Sequence, residues 1–203
     1  MKGFLYIFLC FSIIAGPSLA QDDEFKTIFK EKDGNNLRIT GFGGPMMAFT
    51  FVGDDFIHMM GGGGGAIIGN AFFGGYGCGS TNAPAFKYDD QYTMKFGHGG
   101  LWFGYIFGFN RPVHLSLSAQ TGWGNITQRI KLGEDEFEDV QKNSVFVLTP
   151  IAELEFNFSR FFVLGLGTSI SYVSGTGISN TPYTANDFLK PSLYLTFKFG
   201  WFQ

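Results

Sequence analysis

From residue 189 to residue 201 the chain alternates without a break. Leu189, Pro191, Leu193, Leu195, Phe197, Phe199 and Trp201 take every second position, and Lys190, Ser192, Tyr194, Thr196, Lys198 and Gly200 fill the gaps. Successive strand side chains point to opposite faces, so this period of two predicts a strand with one oily and one polar face. Residues from 113 onward repeat it. Val113, Leu115, Leu117, Ala119, Thr121 and Trp123 share one face, and His114, Ser116, Ser118, Gln120, Gly122 and Gly124 share the other. The alternation continues through Ile126 and Ile130 to a turn at Gly133-Glu134-Asp135. A third segment runs to Phe158 and sets Phe146, Leu148, Pro150, Ala152, Leu154, Phe156 and Phe158 against Thr149, Glu153, Glu155 and Asn157.

Five further strand candidates, 37–52, 56–68, 72–80, 92–107 and 161–173, bring the total to about eight. Gly53-Asp54-Asp55 makes a tight turn, and Gly69-Asn70-Ala71 is a hairpin signal because Gly and Asn tolerate positive φ. The connections after the second, fourth and sixth segments are short. Those after the third, fifth and seventh are long and polar, and only the one after the first breaks the rule. Up-and-down membrane barrels sort their connections in this way, with short turns on the periplasmic side and longer loops outside. Each segment reaches or approaches the ~9–11 residues a tilted crossing requires. Closure follows from cost, since an open edge in hydrocarbon leaves unpaired backbone groups worth several kcal/mol each. The expected fold is therefore all-β, a closed antiparallel up-and-down transmembrane barrel. A soluble periplasmic β-sandwich is the alternative. Pro45, Pro150 and Pro191 cannot donate to a ladder, so bulges, or positions beyond the membrane band, are expected there.

The start of the chain agrees with this location. Lys2, an apolar core over 4–14 and Ser18-Leu19-Ala20 read as a cleaved export signal over residues 1–20. Its core is too short to span a bilayer as a helix. Cys10 lies inside that core without small residues before it, which argues against a lipoprotein. Residues 21–36 are polar and charged, with Phe25, Ile28 and Phe29 on one side of a short helix, as in a periplasmic lead-in or a small plug. The barrel is assigned to 37–203. Cys78 is then the only cysteine, which excludes an intramolecular disulfide and a cysteine-based zinc site. A formal net charge of −3 gives no reason to expect nucleic acid as a partner. With 30 Gly, 26 Phe and only 15% charged residues, the chain has the diluted, every-other-residue hydrophobicity of a membrane barrel.

On these patterns the chain resembles the small eight-stranded outer-membrane barrels of Gram-negative bacteria, of the OmpA and OmpX kind. The resemblance covers about residues 37 to 203 and rests on pattern, not on a unique motif. Such barrels usually end on an aromatic residue read by the insertion machinery. Here Gln203 is last and Phe202, next to last, falls on the inward parity, while Phe197, Phe199 and Trp201 keep the outward aromatics. No peptidoglycan-binding domain is expected after the last strand. The resemblance implies an outer-membrane location, partners among outer-membrane lipid and lipopolysaccharide, the insertion machinery as reader of the last strand, and a protein partner at the outer loops.

Several constellations invite chemistry. Glycines cluster at Gly61 to Gly65, at Gly74, Gly75, Gly77 and Gly79, and at Gly97, Gly99 and Gly100. No Gly-Lys-Ser/Thr follows them, so a phosphate-cradling loop is excluded. The structural reading is that they let adjacent strands bend while Phe72, Phe73 and Tyr76 fill the space. Arg38, His114, Glu153, Glu155 and Lys198 fall on the polar parity near the periplasmic ends of their strands. An eight-stranded interior is just wide enough for side chains, so these charges are expected to pair in a lumen network. A gated ion path or a proton-sensitive switch at His114 is the alternative.

His114-Leu115-Ser116 resembles the His-x-Ser pair of outer-membrane lipid A deacylases, with Glu153 or Glu155 to orient the His. The pair shares its face with Gln120, however, and so points inward, near the periplasmic end. The carboxylates Glu134, Asp135, Glu136, Glu138 and Asp139 lack the ligand-and-glycine spacing of a calcium loop. They read as a solvated hairpin tip. Phe86, Tyr88 and Tyr92, beside Asp89 and Asp90, read as interface anchors or an adhesive surface. Asn125-Ile126-Thr127 and Asn157-Phe158-Ser159 match a glycosylation pattern by chance. No catalytic residue, metal or cofactor is assigned. The expected role is structural or interaction-based, with a narrow porin-like pore next and a lipid A-modifying enzyme last.

Overall fold

The computed structural model describes residues 39–82, 85–86, 89–131, 137–175 and 184–202. The proposed signal (1–20), the lead-in (21–36) and Arg38 lie outside the described residues, as do Tyr88 and the loop carboxylates Glu134, Asp135 and Glu136. The elements in chain order are β1 (Ile39–Val52), β2 (Asp55–Ile68), β3 (Ala71–Ser80), β4 (Ala85–Phe86), β5 (Asp89–Phe107), β6 (Val113–Lys131), β7 (Phe137–Ser159), β8 (Phe162–Ile170), β9 (Tyr172–Ser174), the single-turn helix α1 (Ala185–Phe188) and β10 (Pro191–Gly200). All pairings are antiparallel. Sequence neighbours pair along the chain, β1 pairs with β10, and β3 pairs with β5, so the hydrogen-bonded path returns on itself. Short β4 folds back onto β5, and β9 continues β8 along β7. The result is a ring of eight strands, each paired on both sides, which satisfies the backbone through the ring without solvent.

Short turns at Gly69, Gly108 and residues 160–161 close one end, the turn end, where Gly69 and Gly108 take positive φ. The opposite, loop end holds the longer connections and one exception, a tight turn at Gly53, whose φ of 60° suits glycine. Burial runs inside out along β10 and the turn-end halves of β6 and β7. In β10, Ser192, Tyr194, Thr196 and Lys198 are buried, whereas Leu193 and Phe199 are exposed. The predicted parity of β6 and β7 is observed as well: His114, Ser116, Gln120, Glu153 and Glu155 are buried, and Leu115, Leu117, Trp123, Leu154 and Phe158 are exposed. From Trp123 to Val113 is about ten residue steps of about 3.4 Å. At a tilt of about 40° they span about 26 Å, the height of the apolar band of an outer-membrane barrel.

The interior departs from the expectation of a polar lining. Its loop-end half is apolar, packed with Val52, Ile57, Met59, Met94, Phe96, Ile126, Val145, Val147 and Val173. Ile126 therefore belongs to the inside face of β6, where it is fully buried. The second cluster, around Phe42, Phe72, Trp102 and Tyr194, fills the middle and the turn end. Phe188 of α1 closes the loop end against Phe96, and Phe109 with Phe202 closes the turn end.

Two local expectations are corrected. Phe72 and Tyr76 do fill the space beside inward glycines, but Phe73 is 58% exposed and faces outward. The prolines cause no register shift. Around Gly44 and Pro45 the β1–β10 ladder omits its pairs yet resumes in the same register from Gly43↔Phe199 to Met46↔Thr196. Pro150 falls opposite Ile170, the last residue of β8, where the β7–β8 ladder has ended at Ile151↔Ser169, and Pro191 is the first residue of its strand. Each position tolerates a residue without an N–H. The irregular pairings lie elsewhere, at Ala85/Phe86, Gln128/Arg129 and Asn157/Ser159.

Candidate functional site: an ionic cluster inside an aromatic cage

Antiparallel register brings the charges together. His114 pairs with Glu155 across β6 and β7, and Ser116 with Glu153. Lys198 arrives from β10, one wall beyond β8. Glu155 is the hub: its Oε2 lies 2.9 Å from His114 Nε2, and its Oε1 accepts from Lys198 Nζ at 2.6 Å. Lys198 Nζ also stands 3.5 Å from Glu153 Oε2, and Thr196 Oγ1 donates to Glu153 Oε1 at 2.6 Å. His114 Nδ1 is 3.2 Å from the Arg111 carbonyl oxygen, so both ring nitrogens are engaged. All four charged or titratable side chains are nearly dry, none more than 5% exposed.

The packing explains how such charges are held. Inward Gly165 makes room, because a Cβ there would collide with Thr196 Oγ1 and Glu153 Oε1. The hydrocarbon part of Lys198 ends among three rings, with Nζ 5.0 Å from the Trp102 centroid, 5.4 Å from Phe72 and 5.6 Å from Phe42. These rings meet edge to face at 5.3 to 5.5 Å, so their negative faces surround the ammonium. The geometry thus unites His114, Glu153, Glu155 and Lys198, while Arg38 lies outside the described residues.

The sequence pattern put Thr196 on the polar face but did not assign it, or the aromatic cage, to the ionic cluster. Phe42, Phe72 and Trp102 lie in the Gly-rich segments, where glycine at so many positions hides which face is which. It also missed two uncharged inner networks. Gln120 Nε2 donates to Tyr194 Oη at 2.8 Å, and Tyr194 Oη lies 3.2 Å from Met46 Sδ. His98 lies between Tyr76 Oη (2.9 Å to Nδ1) and Cys78 Sγ (3.3 Å to Nε2). Glycines on both sides of His98 in β5 hid its inward position from the sequence pattern. No group of His, Cys, Asp or Glu suited to a metal ion occurs among the described residues. The cluster itself is a set of charge-assisted hydrogen bonds that ties β6, β7 and β10 together, with Glu153 Oε2 held by the Lys198 charge without a hydrogen bond.

No family model matches the chain, and no curated protein does. Among solved structures, the chain is similar to Neisserial surface protein A, with 14% identity, coverage of 81% of this chain and 97% of that one, and a TM-score of 0.51. It is also similar to the N-terminal β-barrel domain of Pseudomonas aeruginosa OprF, with 14% identity, coverage of 80% and 97%, and a TM-score of 0.50. Both are small eight-stranded outer-membrane barrels. The fold of this chain is therefore that of a small eight-stranded outer-membrane β-barrel.

Proposed function

We propose that this protein is an integral outer-membrane barrel with a sealed interior, serving a structural or surface-interaction role through its wall and outer loops. The supporting observation is the filled lumen: two apolar clusters occupy its length, and Phe188 and Phe202 stop its ends. The packing of these side chains among the described residues argues against a narrow pore. Lipid A-modifying catalysis is disfavoured by the state of its candidate pair. His114 spends both ring nitrogens on Glu155 and Arg111, and Ser116 is completely buried. In this reading the loop end faces outward, and the signal is cut after Ala20. The outward aromatics Phe197, Phe199 and Trp201 present the last strand to the insertion machinery, and a protein partner meets the outer loops. Purified protein is expected to need detergent for extraction, to change gel mobility on heating, and to give no large, stable conductance in planar bilayers. Recovery in an aqueous periplasmic extract would overturn the location, and a steady open channel would overturn the sealed interior.

A further inference from the structure

Midway along the wall formed by β1, β2, β3 and β5, the exterior has a band of glycines bare of side chains, flanked by exposed Met60, Phe73 and Leu101. Register aligns Gly97 with Gly79, Gly99 with Gly77 and Gly62, and Gly75 with Gly64 and Gly43. All of these face outward. Inside the ring, glycine is sterically required: a Cβ at Gly61, Gly65, Gly74 or Gly100 would strike a backbone oxygen. Outside, with the exceptions of Gly64 and Gly99, it is not. A Cβ on Gly77 would meet nothing within 4 Å, and on Gly75, Gly79 or Gly97 nothing closer than 3.5 Å. The barrel's own packing therefore does not explain this shallow trough, which lies between Met60 on one side and Trp123 on the other.

Directly above it, toward the loop end, stands a pair of cations. Lys95 heads the outward column that continues as Gly97 and Gly99, and Thr127 separates it in register from Lys142. Both lysines are exposed and neither has an acidic partner among the described residues, whereas Arg129, one step farther out, is taken by Asp139. Glu138 is exposed beyond them. Between the lysines and the hydrocarbon band lie Asn125 and Ser144, and then Trp123, which at 74% exposed is the barest large side chain of the wall. Ammonium, polar belt, indole and trough follow one another in the order of a lipid's head group, interface and chain.

We infer that this wall seats one phosphorylated, multiply acylated glycolipid of the outer leaflet. Lys95 and Lys142 hold its anionic head as point charges, and an acyl chain lies in the glycine trough against Trp123. Two strand spacings set the lysine backbones about 10 Å apart, a span that lets the two flexible side chains engage two anionic groups of one head at once. The inference rests on the outer-membrane reading above and specifies a partner for its wall.

The test is native mass spectrometry of the detergent-purified full chain with added diphosphorylated lipid A, and phosphatidylglycerol as the competitor with a single phosphate. Wild type should retain one lipid A at a concentration at least ten-fold below that needed for phosphatidylglycerol. A Lys95→Gln/Lys142→Gln variant and a Gly77→Leu variant should each lose that preference while keeping the heat-dependent gel shift. Equal retention of both lipids, or lipid A retention untouched by the variants, overturns the inference. A heat-modifiable wild type that holds no lipid A removes this inference alone. A wild type without the shift removes the membrane-barrel reading and the lipid seat with it.

Discussion

Lys198 is the residue on which the interior's charges depend. It faces two carboxylates, Glu155 at 2.6 Å and Glu153 at 3.5 Å, in a site almost without water. Replacing it by Met preserves bulk and leaves two buried acids without their shared cation. Breaking a buried pair in this way costs about 3–5 kcal/mol, so Lys198→Met should move the urea unfolding midpoint down markedly in lipid vesicles, read by tryptophan fluorescence. Glu153→Ala should also lower it, because Thr196 and Lys198 both lose an acceptor. Glycine positions offer a sharper comparison. At Gly165 an added methyl group collides with Glu153 and Thr196, and at Gly77 it meets open space. Gly165→Ala is expected to cost about 1–3 kcal/mol by overpacking, while Gly77→Ala should leave the midpoint nearly unchanged. Similar losses at both positions would mean that the interior is looser than its contacts indicate.

At the scale of elements, the most informative is α1, a single turn that closes the loop end. Asp187 Oδ2 accepts hydrogen bonds from the Thr184 amide at 2.7 Å and the Thr184 hydroxyl at 2.8 Å. The Thr184 amide, foremost, holds the Asp187 carboxyl below its ordinary range. A carboxyl depressed in the folded state contributes stability at neutral pH and loses it as pH falls through that lowered value. The neighbouring contact is a convenient reporter, because the Gly53 amide donates to the Asp187 carbonyl at 3.1 Å. Hydrogen exchange at Gly53, corrected for intrinsic rate, should therefore accelerate in acid. Asp187→Asn should show the accelerated exchange already at neutral pH. An unchanged Gly53 amide in that variant would disconnect the cap from the turn. The prolines carry a different lesson at this scale. A missing N–H is absorbed wherever the ladder is already interrupted or beginning, so Pro150 at the end of the β7–β8 ladder and Pro191 at a strand start need no bulge.

For the molecule as a whole, the inside-out order was readable where polar and apolar residues alternate without glycine. β6, β7 and β10 show this: His114, Glu153, Glu155 and Lys198 were assigned inward by parity alone, and all four are buried there. Antiparallel pairing then made their meeting a matter of register. What could not be read was the content of the lumen's other half. Gly-rich β2, β3 and β5 give no periodic signal, so the inward positions of Met59, Tyr76, Phe96 and Trp102 emerge only once the ring closes. Nor does parity distinguish a wet interior from a packed one, since Ile126 and Val147 look like lapses in a pattern until their partners are known. The apolar loop-end half changes the way assembly must finish. Lipid can replace lipid on the outer wall at little gain, but the inner clusters gain by expelling water. Joining β1 to β10 and drying the core are consequently one event, and a chain arrested just before it would sit in the bilayer as a hydrated, leaky cylinder.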